Sequence, residues 1–233
     1  MTTNKTKKEI KLAVFDIDGT IVKAENKTSI FNLLESKKGL DKEAQEIREK
    51  YQDNLTESSL MEWSIKSFEL YKKCGVTQVD LFEVATSYLK PASGFKKTLN
   101  YLHKRGVKTA VVSGSIKNTF DIFAEANKIK MDYEFISNYY IFDDKGNLVD
   151  KELHNYNFSG KVKAISEICK NEGICMENVL FVGDGINDKE ALNQAGVGIA
   201  FNTDNREVIE AADIHIKGKS FSKVLKSLKE IIG

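Results

Sequence analysis

The sequence predicts an α/β protein with a doubly wound, mostly parallel sheet and a small helical domain inserted after the first strand. Three observations lead to this fold class. Short apolar runs typical of buried strands recur along the chain, and helical patterns separate them. Polar stretches with glycine directly follow three of these runs, at the end of a parallel sheet where ligands bind. A long segment of helical periodicity lies between the first strand and the alternating region.

The first predicted strand, residues 10–14, leads into Phe-Asp-Ile-Asp-Gly-Thr at residues 15–20. Beyond it, apolar residues recur at steps of three and four, which predicts three or four helices. The single proline, Pro91, marks the end of this helical segment. We therefore divide the chain into a first core segment, a helical cap domain and a continued core domain, at residues 1–21, 22–90 and 91–233.

After Pro91 the predicted helices and strands alternate. Residues 135–150 are expected to form a hairpin, because Asp144 to Asn147 supply typical turn residues. The β-branched and apolar runs predict strands, and the period of three to four predicts amphipathic helices between them. These strands cover residues 107–112, 179–182, 197–200 and 214–216, and the helices begin near Phe95, Ile116, Lys161 and Phe221.

The composition excludes several classes of protein. With 233 residues, 41% hydrophobic and 30% charged, the chain can form a substantial globular core. The 35 basic and 34 acidic residues give a net charge of +1, so no overall field favours nucleic acid or an anionic membrane. No apolar run approaches the roughly 20 residues of a membrane span, and no signal peptide is evident. Three cysteines without metal-ligand spacing indicate free thiols, so we expect a cytoplasmic protein.

Two carboxylates, Asp16 and Asp18, follow the first strand, and Gly19 allows the chain to turn sharply there. A third, Asp184, lies between Gly183 and Gly185 directly after the strand at 179–182, where small residues let a ligand approach the backbone. Both patterns have ordinary structural explanations. Asp-x-Asp-Gly is also common in turns, where the side chains bond to nearby backbone.

Two further residues follow Asp184. Asn187 and Asp188 complete the stretch Gly-Asp-Gly-Ile-Asn-Asp and are expected to support the site. Their alternative role is structural, with Asn187 as the N-cap of the next helix and Asp188 in its acidic first turn.

Hydroxyl, amide and ammonium groups also follow strands. Ser113 and Gly114 lie at a strand-to-helix turn, where a hydroxyl and backbone N–H groups suit a phosphate oxygen. Ser115 offers the alternative of a helix N-cap. Lys161 stands in the first turn of a helix, where a cation opposes the helix dipole unless carboxylates or a phosphate offset it. The alternative is a solvated surface lysine, and Lys163 is the rival for any functional role.

Because these stretches all follow strands, one crevice can collect them. Asp16, Asp18 and Asp184 would then crowd three carboxylates together, which requires a counter-ion. An all-oxygen site suits Mg²⁺ far better than Zn²⁺. A carboxylate nucleophile, Mg²⁺, a lysine and hydroxyl or amide donors are the parts needed for phosphoryl transfer through an aspartyl-phosphate.

With these motifs in this order, the chain resembles the phosphatase branch of the haloacid dehalogenase superfamily, and within it the phosphoserine phosphatase-like group. The resemblance implies that Asp16 attacks phosphorus, while Asp18 protonates the leaving group and then activates water. It implies a Rossmann-like core, and residues 22–90 look like the family's first type of cap.

The resemblance also implies the ligands of the site. Mg²⁺ would be held by the Asp16 and Asp184 carboxylates and the Asp18 main-chain carbonyl, with Asp188 nearby. The phosphoryl oxygens would be held by Ser113, Gly114 and Lys161.

For the substrate, the resemblance implies a small soluble phosphomonoester of the phosphoserine type. Glu25 stands where the group has a substrate-binding glutamate. The group's arginine for the serine carboxylate has no counterpart, because Arg48 is the only arginine of the cap and lies outside a matching motif. The aromatic residues Trp63 and Tyr71 lie on an amphipathic helix, which favours the core over a pocket.

Two alternative functions remain open at this stage. The phosphoryl group could pass to an acceptor other than water, which would make the chain a phosphotransferase. The chain could also be a non-catalytic regulatory module that binds Mg²⁺ and phosphate. The oligomeric state is not determined by the sequence.

Overall fold

The computed structural model describes residues 9–23, 29–51 and 55–232. Its strands and helices alternate along the chain from Phe95 onwards, as predicted. In chain order the strands are β1 (Leu12–Phe15), β2 (Val22–Lys23), β3 (Lys90–Pro91), β4 (Lys108–Ile116), β5 (Tyr133–Phe142), β6 (Leu148–Leu153), β7 (Val179–Gly183), β8 (Val197–Phe201) and β9 (Ile214–Ile216). The α-helices are α1 (Ile30–Lys38), α2 (Asp41–Glu49), α3 (Glu57–Lys73), α4 (Gln78–Glu83), α5 (Phe95–His103), α6 (Lys117–Asn127), α7 (Ser159–Glu172), α8 (Lys189–Gln194), α9 (Arg206–Glu210) and α10 (Phe221–Ile232).

Seven strands form the central sheet, in the order β6-β5-β4-β1-β7-β8-β9. Neighbouring strands are parallel except at one edge, where β5 and β6 form the predicted antiparallel hairpin. The short strand β1 lies in the middle, between β4 and β7. The carboxyl ends of these three parallel strands therefore lie side by side.

Hydrophobic side chains pack on both faces of this sheet. In β1, Ala13 and Phe15 join one cluster, whereas Leu12 and Val14 join the other. All four are buried, as expected of a central parallel strand that is covered on both faces. Helices α5, α6 and α10 contribute to the first cluster, and α7, α8 and α9 to the second. The doubly wound α/β fold is confirmed.

The cap is attached to the core through a two-stranded antiparallel ribbon. In it, Val22 pairs with Pro91 and Lys23 pairs with Lys90. Within the described part of the chain, the segment between these strands holds α1 to α4 and a π-helical turn at Val84–Tyr88. Its buried side chains belong to the same hydrophobic cluster as the first face of the sheet. The division into separate domains at residues 22 and 90 stays a prediction.

Local signals define where the cap helices begin and end. The Ser29 hydroxyl accepts a hydrogen bond from the N–H of Asn32 at the start of α1, and Thr56 and Thr77 open α3 and α4 with capping boxes. Gly39 closes α1 in the left-handed conformation, with φ +66°. These ends follow from sequence because capping groups contact only the nearest turn.

Strand β4 is longer than predicted and continues through Ile116. Ser115 is therefore not an N-cap; α6 begins after Ile116 without a side-chain cap. The register to β5 shifts between Ser113 and Ile116, and the Asn138 amide donates to the carbonyls of Gly114 and Ser115 at 2.8 and 3.1 Å. The side chain of Asn138, which is distant in sequence, thus supplies hydrogen bonds to the backbone carbonyls at the irregular end of β4. A local sequence pattern cannot reveal this contact.

Candidate active site

The order β4-β1-β7 brings together the motifs that sequence analysis singled out. Phe15 at the end of β1 is in register with Val111 of β4 and with Val182 of β7. The N–H of Asp16 donates to the carbonyl of Val182 at 3.0 Å. The loops after the three strands therefore emerge at one edge of the sheet.

A buried ion cluster lies at this edge. The Lys161 ammonium is 2.5 Å from Asp16 Oδ1 and 2.5 Å from Asp188 Oδ1. Lys161 has no exposed surface, although it stands in the first turn of α7. The alternative of a solvated surface lysine is therefore wrong for Lys161, whereas Lys163 is exposed.

Asp188 orders the loop after β7. Its second carboxylate oxygen accepts the N–H groups of Asp184 and Gly185 at 3.0 and 2.9 Å. A Cβ atom at Gly183 would lie 2.5 Å from the Asp188 carboxyl carbon, so only glycine leaves room for this contact. Asp188 makes no side-chain cap to α8, and the Asn187 amide donates to Asn157 Oδ1 at 2.8 Å. The role of N-cap considered for Asn187 is therefore wrong, whereas Asp188 is an acidic residue in the first turn of the 3-10 helix Ile186–Asp188.

The loop after β1 is held by both the core and the cap. Asp18 Oδ1 accepts the N–H of Ile30, the first residue of α1, at 2.7 Å. The Thr20 hydroxyl donates to Asp184 Oδ1 at 2.7 Å. Gly19 has φ +80°, and a Cβ atom there would lie 2.2 Å from Asp184 Oδ2. Glycine is required at this position both for the backbone conformation and for the close approach of the two loops.

Burial and crowding perturb the pKa values of these groups. Burial raises the pKa of Asp16 from 3.8 to about 7, with Lys161 opposing the shift and the carboxylates of Asp188 and Asp18 adding to it. Burial, with Asp16 and Asp188, raises the pKa of Asp184 well above its ordinary value. Burial also raises the pKa of Asp18. Burial would lower the pKa of Lys161, but Asp16 and Asp188 outweigh it and raise the pKa.

A cation fits this excess of negative charge. Carboxylate oxygens of Asp16, Asp184 and Asp188 lie within 4.8 Å of one another. A donor set made only of oxygen suits a hard divalent cation, and a positive ion would relieve the repulsion that raises the pKa values of Asp16 and Asp184. The Asp18 side chain does not belong to this group and is instead bonded to Ile30.

Asp16 lines a cavity of ≈ 230 Å³ between core and cap. From the core, the lining includes Ser113, Gly114, Asn157 and Asp184, and from the cap it includes Phe31, Leu55, Leu60, Trp63 and Ser64. Ser113 and Gly114 thus share one space with Asp16.

The prediction for Tyr71 is confirmed, since it is buried in the core, but Trp63 lines the cavity. Glu25 lies outside the described residues.

Several lining residues were missed by sequence analysis. Asn157 accepts the Asn187 amide, and a Cβ atom at Gly114 would lie 2.4 Å from its Oδ1 atom. Phe158 and Ile186 supply apolar surface to the cavity. Asn157 and Phe158 belong to none of the motifs, and Ile186 is the apolar residue of one, so only the folded chain reveals that all three line the cavity. Thr20 was within a recognised motif, and its position two residues after Asp18 was the available signal.

Comparison with known proteins agrees with this geometry. The family model described as haloacid dehalogenase-like hydrolase matches residues 10–196. The chain belongs to the haloacid dehalogenase-like hydrolase family. Because the match includes every motif from Asp16 to Asp188, the predicted family is confirmed.

Two relatives and one solved structure carry the name phosphoserine phosphatase. The chain is 33% identical to a phosphoserine phosphatase of Methanocaldococcus jannaschii, over 95% of this chain and 99% of that protein. It is 31% identical to a phosphoserine phosphatase of Archaeoglobus fulgidus, over 95% of this chain but only 61% of that protein. A solved structure titled as a phospho-aspartyl intermediate analogue of phosphoserine phosphatase has a TM-score of 0.77 and 29% identity, over 95% of this chain and 100% of that chain.

These findings confirm the prediction of a phosphoric monoester hydrolase of the haloacid dehalogenase family. They also support the predicted phosphoserine phosphatase-like group. Within the described residues, no helix combines the length and apolar character needed to cross a membrane.

Proposed function

We propose that this chain is a Mg²⁺-dependent phosphatase that hydrolyses a small soluble phosphomonoester through an aspartyl-phosphate on Asp16, in the cytoplasm. One observation carries the proposal. Asp16 is held by the buried Lys161 ammonium and faces a cavity that Ser113 and Gly114 also line. A fixed carboxylate nucleophile next to hydroxyl and backbone donors is suited to attack on a phosphoryl group.

In the first step, a carboxylate oxygen of Asp16 attacks phosphorus, and the bond from phosphorus to the alcohol oxygen breaks. Asp18 donates a proton to the departing alcohol, and its raised pKa favours the protonated form that this role needs. Asp18 then takes a proton from water, which attacks phosphorus and releases phosphate from Asp16. The Ile30 N–H keeps the Asp18 side chain in place through both steps.

The remaining groups hold the phosphoryl oxygens. Ser113 and Gly114 would donate hydrogen bonds to them, and the Lys161 ammonium would balance their charge. The Asp16 and Asp184 carboxylates and the Asp18 main-chain carbonyl would hold Mg²⁺, with Asp188 supporting the Asp184 loop. When bound, Mg²⁺ supplies positive charge that stabilises the phosphoryl oxygens in the transition state.

The names of the relatives make phosphoserine the first compound to test as a substrate. Glu25 is the predicted substrate contact in the segment after β2. Arg48, the remaining candidate for a carboxylate contact in the cap, is engaged by Glu35 within the cap.

The proposal is tested by phosphate release from a panel of phosphomonoesters, with Mg²⁺ and then with EDTA, on the wild type and Asp16→Asn. We expect Mg²⁺-dependent turnover that falls below about 1% of wild type in the variant, because an amide is not a competent nucleophile. A thermal melt serves as the folding control.

Residual activity above about 1% in a folded Asp16→Asn variant would contradict covalent catalysis. Transfer of phosphate to an added alcohol without its release would indicate the phosphotransferase. Binding of Mg²⁺ and phosphate without turnover of any ester would indicate the regulatory module.

A further inference from the structure

One part of the lining of the Asp16 cavity is an apolar wall, in addition to the carboxylates and the hydrogen-bond donors of Ser113 and Gly114. Apart from Phe31, which is buried, the side chains of this wall are half-buried or exposed, so a ligand can reach them. Four of its side chains come from the cap and two from the core: Phe31, Leu55, Leu60, Trp63, Phe158 and Ile186. Leu60 and Trp63 are three residues apart on α3 and therefore share one helix face. The Phe31 and Trp63 rings pack with their centroids 4.6 Å apart.

Among the residues that the structure describes, no lysine or arginine side chain lines the Asp16 cavity beside this wall. The charged side chains in the lining are Asp16, Asp18 and Asp184, all of them carboxylates. The nearby Lys161 has no exposed surface and is shared between two carboxylates. A carboxylate on the leaving alcohol would therefore meet apolar surface and like charge, both of which are unfavourable.

The arginine of the cap is engaged elsewhere. Arg48 Nη1 is bonded to Glu35 Oε2 at 2.5 Å and to Asn32 Oδ1 at 3.2 Å. It lines a neighbouring cavity, of ≈ 220 Å³, which shares Leu55, Leu60 and Trp63 with the cavity that contains Asp16. Arg48 itself does not line the Asp16 cavity. A carboxylate bound against the apolar wall would have to compete with Glu35 and Asn32 for this guanidinium.

Phe158 keeps a large ring in the wall despite an unfavourable backbone conformation. Its φ of 47° and ψ of −122° lie in a region that bulky residues rarely adopt. The N–H of Phe158 donates to the Asn187 carbonyl at 3.0 Å, and its own carbonyl accepts the N–H of Lys161 at 3.1 Å. The site therefore holds an aromatic residue where glycine would be less strained, which points to a use for the ring.

From these observations we infer that the enzyme prefers phosphomonoesters whose alcohol has an apolar body and no carboxylate. This inference rests on the proposed function and names its substrate class. It places phosphoserine among the poor substrates, although the relatives carry the name phosphoserine phosphatase. The specificity-determining residues are Leu60, Trp63 and Phe158.

A second cavity, of ≈ 350 Å³, offers the competing location for the leaving group. It also borders Asp18 and Asp184, and it contains the cations Lys23 and Lys219. Its lining among the described residues does not include Asp16 or Ser113. The apolar cavity is preferred because the nucleophile and the phosphate donors line it.

Three esters of similar size test the inference on the wild-type enzyme with Mg²⁺. Phosphoethanolamine lacks only the carboxylate of phosphoserine, and propyl phosphate also replaces the ammonium with a methyl group. We expect kcat/KM for both esters without a carboxylate to exceed that for phosphoserine by roughly tenfold or more. Propanol is the least acidic of the three alcohols, so intrinsic reactivity would produce the opposite order.

A charge introduced into the wall provides the second test. In Leu60→Arg, the ratio of kcat/KM for phosphoserine over propyl phosphate should rise roughly tenfold, because the carboxylate gains a partner. Leu60→Gln is the matched control and should leave phosphoserine disfavoured. Each ratio is measured on one preparation, so the fraction of correctly folded protein cancels. Lys219→Ala should leave the ratio unchanged.

The outcomes separate this inference from the proposed function. If phosphoserine is hydrolysed as well as its analogues or better, the phosphatase stands and the inference fails. A fall in the ratio of kcat/KM for phosphoserine over propyl phosphate in Lys219→Ala would also overturn the inference, since the leaving group would then lie in the second cavity. If no ester is hydrolysed, both the proposed function and the inference fail.

Discussion

Two buried charge clusters, one in the core and one in the cap, have similar parts but different surroundings. The core cluster consists of Asp16, Lys161 and Asp188, and the cap cluster consists of Glu35, Arg48 and Tyr71. In the core cluster one ammonium bridges two carboxylates. In the cap cluster one buried carboxylate accepts hydrogen bonds from the Arg48 guanidinium at 2.5 Å and the Tyr71 hydroxyl at 2.7 Å.

The two clusters differ in charge balance. The cap cluster pairs one carboxylate with one guanidinium, and burial raises the pKa of Tyr71 so that its hydroxyl remains a donor. Its members come from α1, α2 and α3, so it joins three helices of the cap. The core cluster carries an excess of negative charge, to which Asp184 adds, and it opens on a cavity. A cluster whose charges balance serves structure, whereas a cluster with excess negative charge next to the cavity groups Ser113 and Gly114 serves chemistry.

The largest expected effect is the loss of catalysis when Asp18, which lies beside the core cluster, is replaced. In Asp18→Asn, kcat should fall by roughly 10²–10⁴-fold, because the amide cannot exchange the protons of the two steps. The side-chain oxygen can still accept the Ile30 N–H, so the fold should be retained. In rapid-quench experiments, breakdown of the aspartyl-phosphate should be slowed more than its formation. An unchanged single-turnover rate of hydrolysis would remove Asp18 from the acid–base role.

An intermediate effect is expected in the cap cluster, on stability and not on chemistry. Glu35→Leu leaves Arg48 and Tyr71 without their acceptor and should lower the free energy of unfolding by about 3 kcal/mol. The turnover of the enzyme that remains folded at low temperature should stay within about twofold of wild type. Urea unfolding and activity at low temperature measure the two quantities.

The double variant Glu35→Leu with Arg48→Leu is the control for the cap cluster. Removal of both charges should restore part of the lost stability, because no unpaired guanidinium remains. A large loss of kcat at unchanged stability would instead place the cap cluster in the active site.

The smallest expected effect concerns the pH dependence of the metal-free protein. The folded-state pKa of Asp16 is about 7, above the ordinary 3.8, and Asp18, Asp184, Asp188 and Lys161 surround it. A raised carboxyl pKa favours the folded state at low pH, and this contribution is lost as the pH rises from about 4 through 7. In EDTA, the free energy of unfolding should therefore fall by about 1–2 kcal/mol over this interval relative to Asp16→Asn.

Addition of Mg²⁺ at pH 7.5 should raise the Tm of the wild type more than that of Asp16→Asn, because the cation relieves the crowded carboxylates. Thermal melts at pH 5 and 7.5, with and without Mg²⁺, measure both effects. A wild type that gains stability relative to Asp16→Asn as the pH rises would contradict the unbalanced charge assigned to the core cluster.

Most strands and helices, and the chemical groups of the site, could be predicted from the sequence. Buried strands such as β7 have local apolar signals, and helix ends such as that at Thr56 have local capping signals. Asp16, Asp18 and Asp184 were identified because each lies within a few residues of a glycine, directly after an apolar strand. This local information was sufficient for the fold class, the family and the class of reaction.

Which of these groups meet depends on how distant segments of the chain pack together. Lys161 and Asp16 are separated by 145 positions in the chain, and their contact depends on the place of β1 between β4 and β7. The hydrogen bond from Asn138 to the end of β4 also joins distant segments of the chain, and so does the apolar wall that contains Phe158. Periodicity and capping act within a few turns of chain, whereas strand order and cavity walls arise from packing between distant segments. For this reason the sequence predicts the chemistry of the nucleophile, and the folded cap and core together form the surface that selects the alcohol.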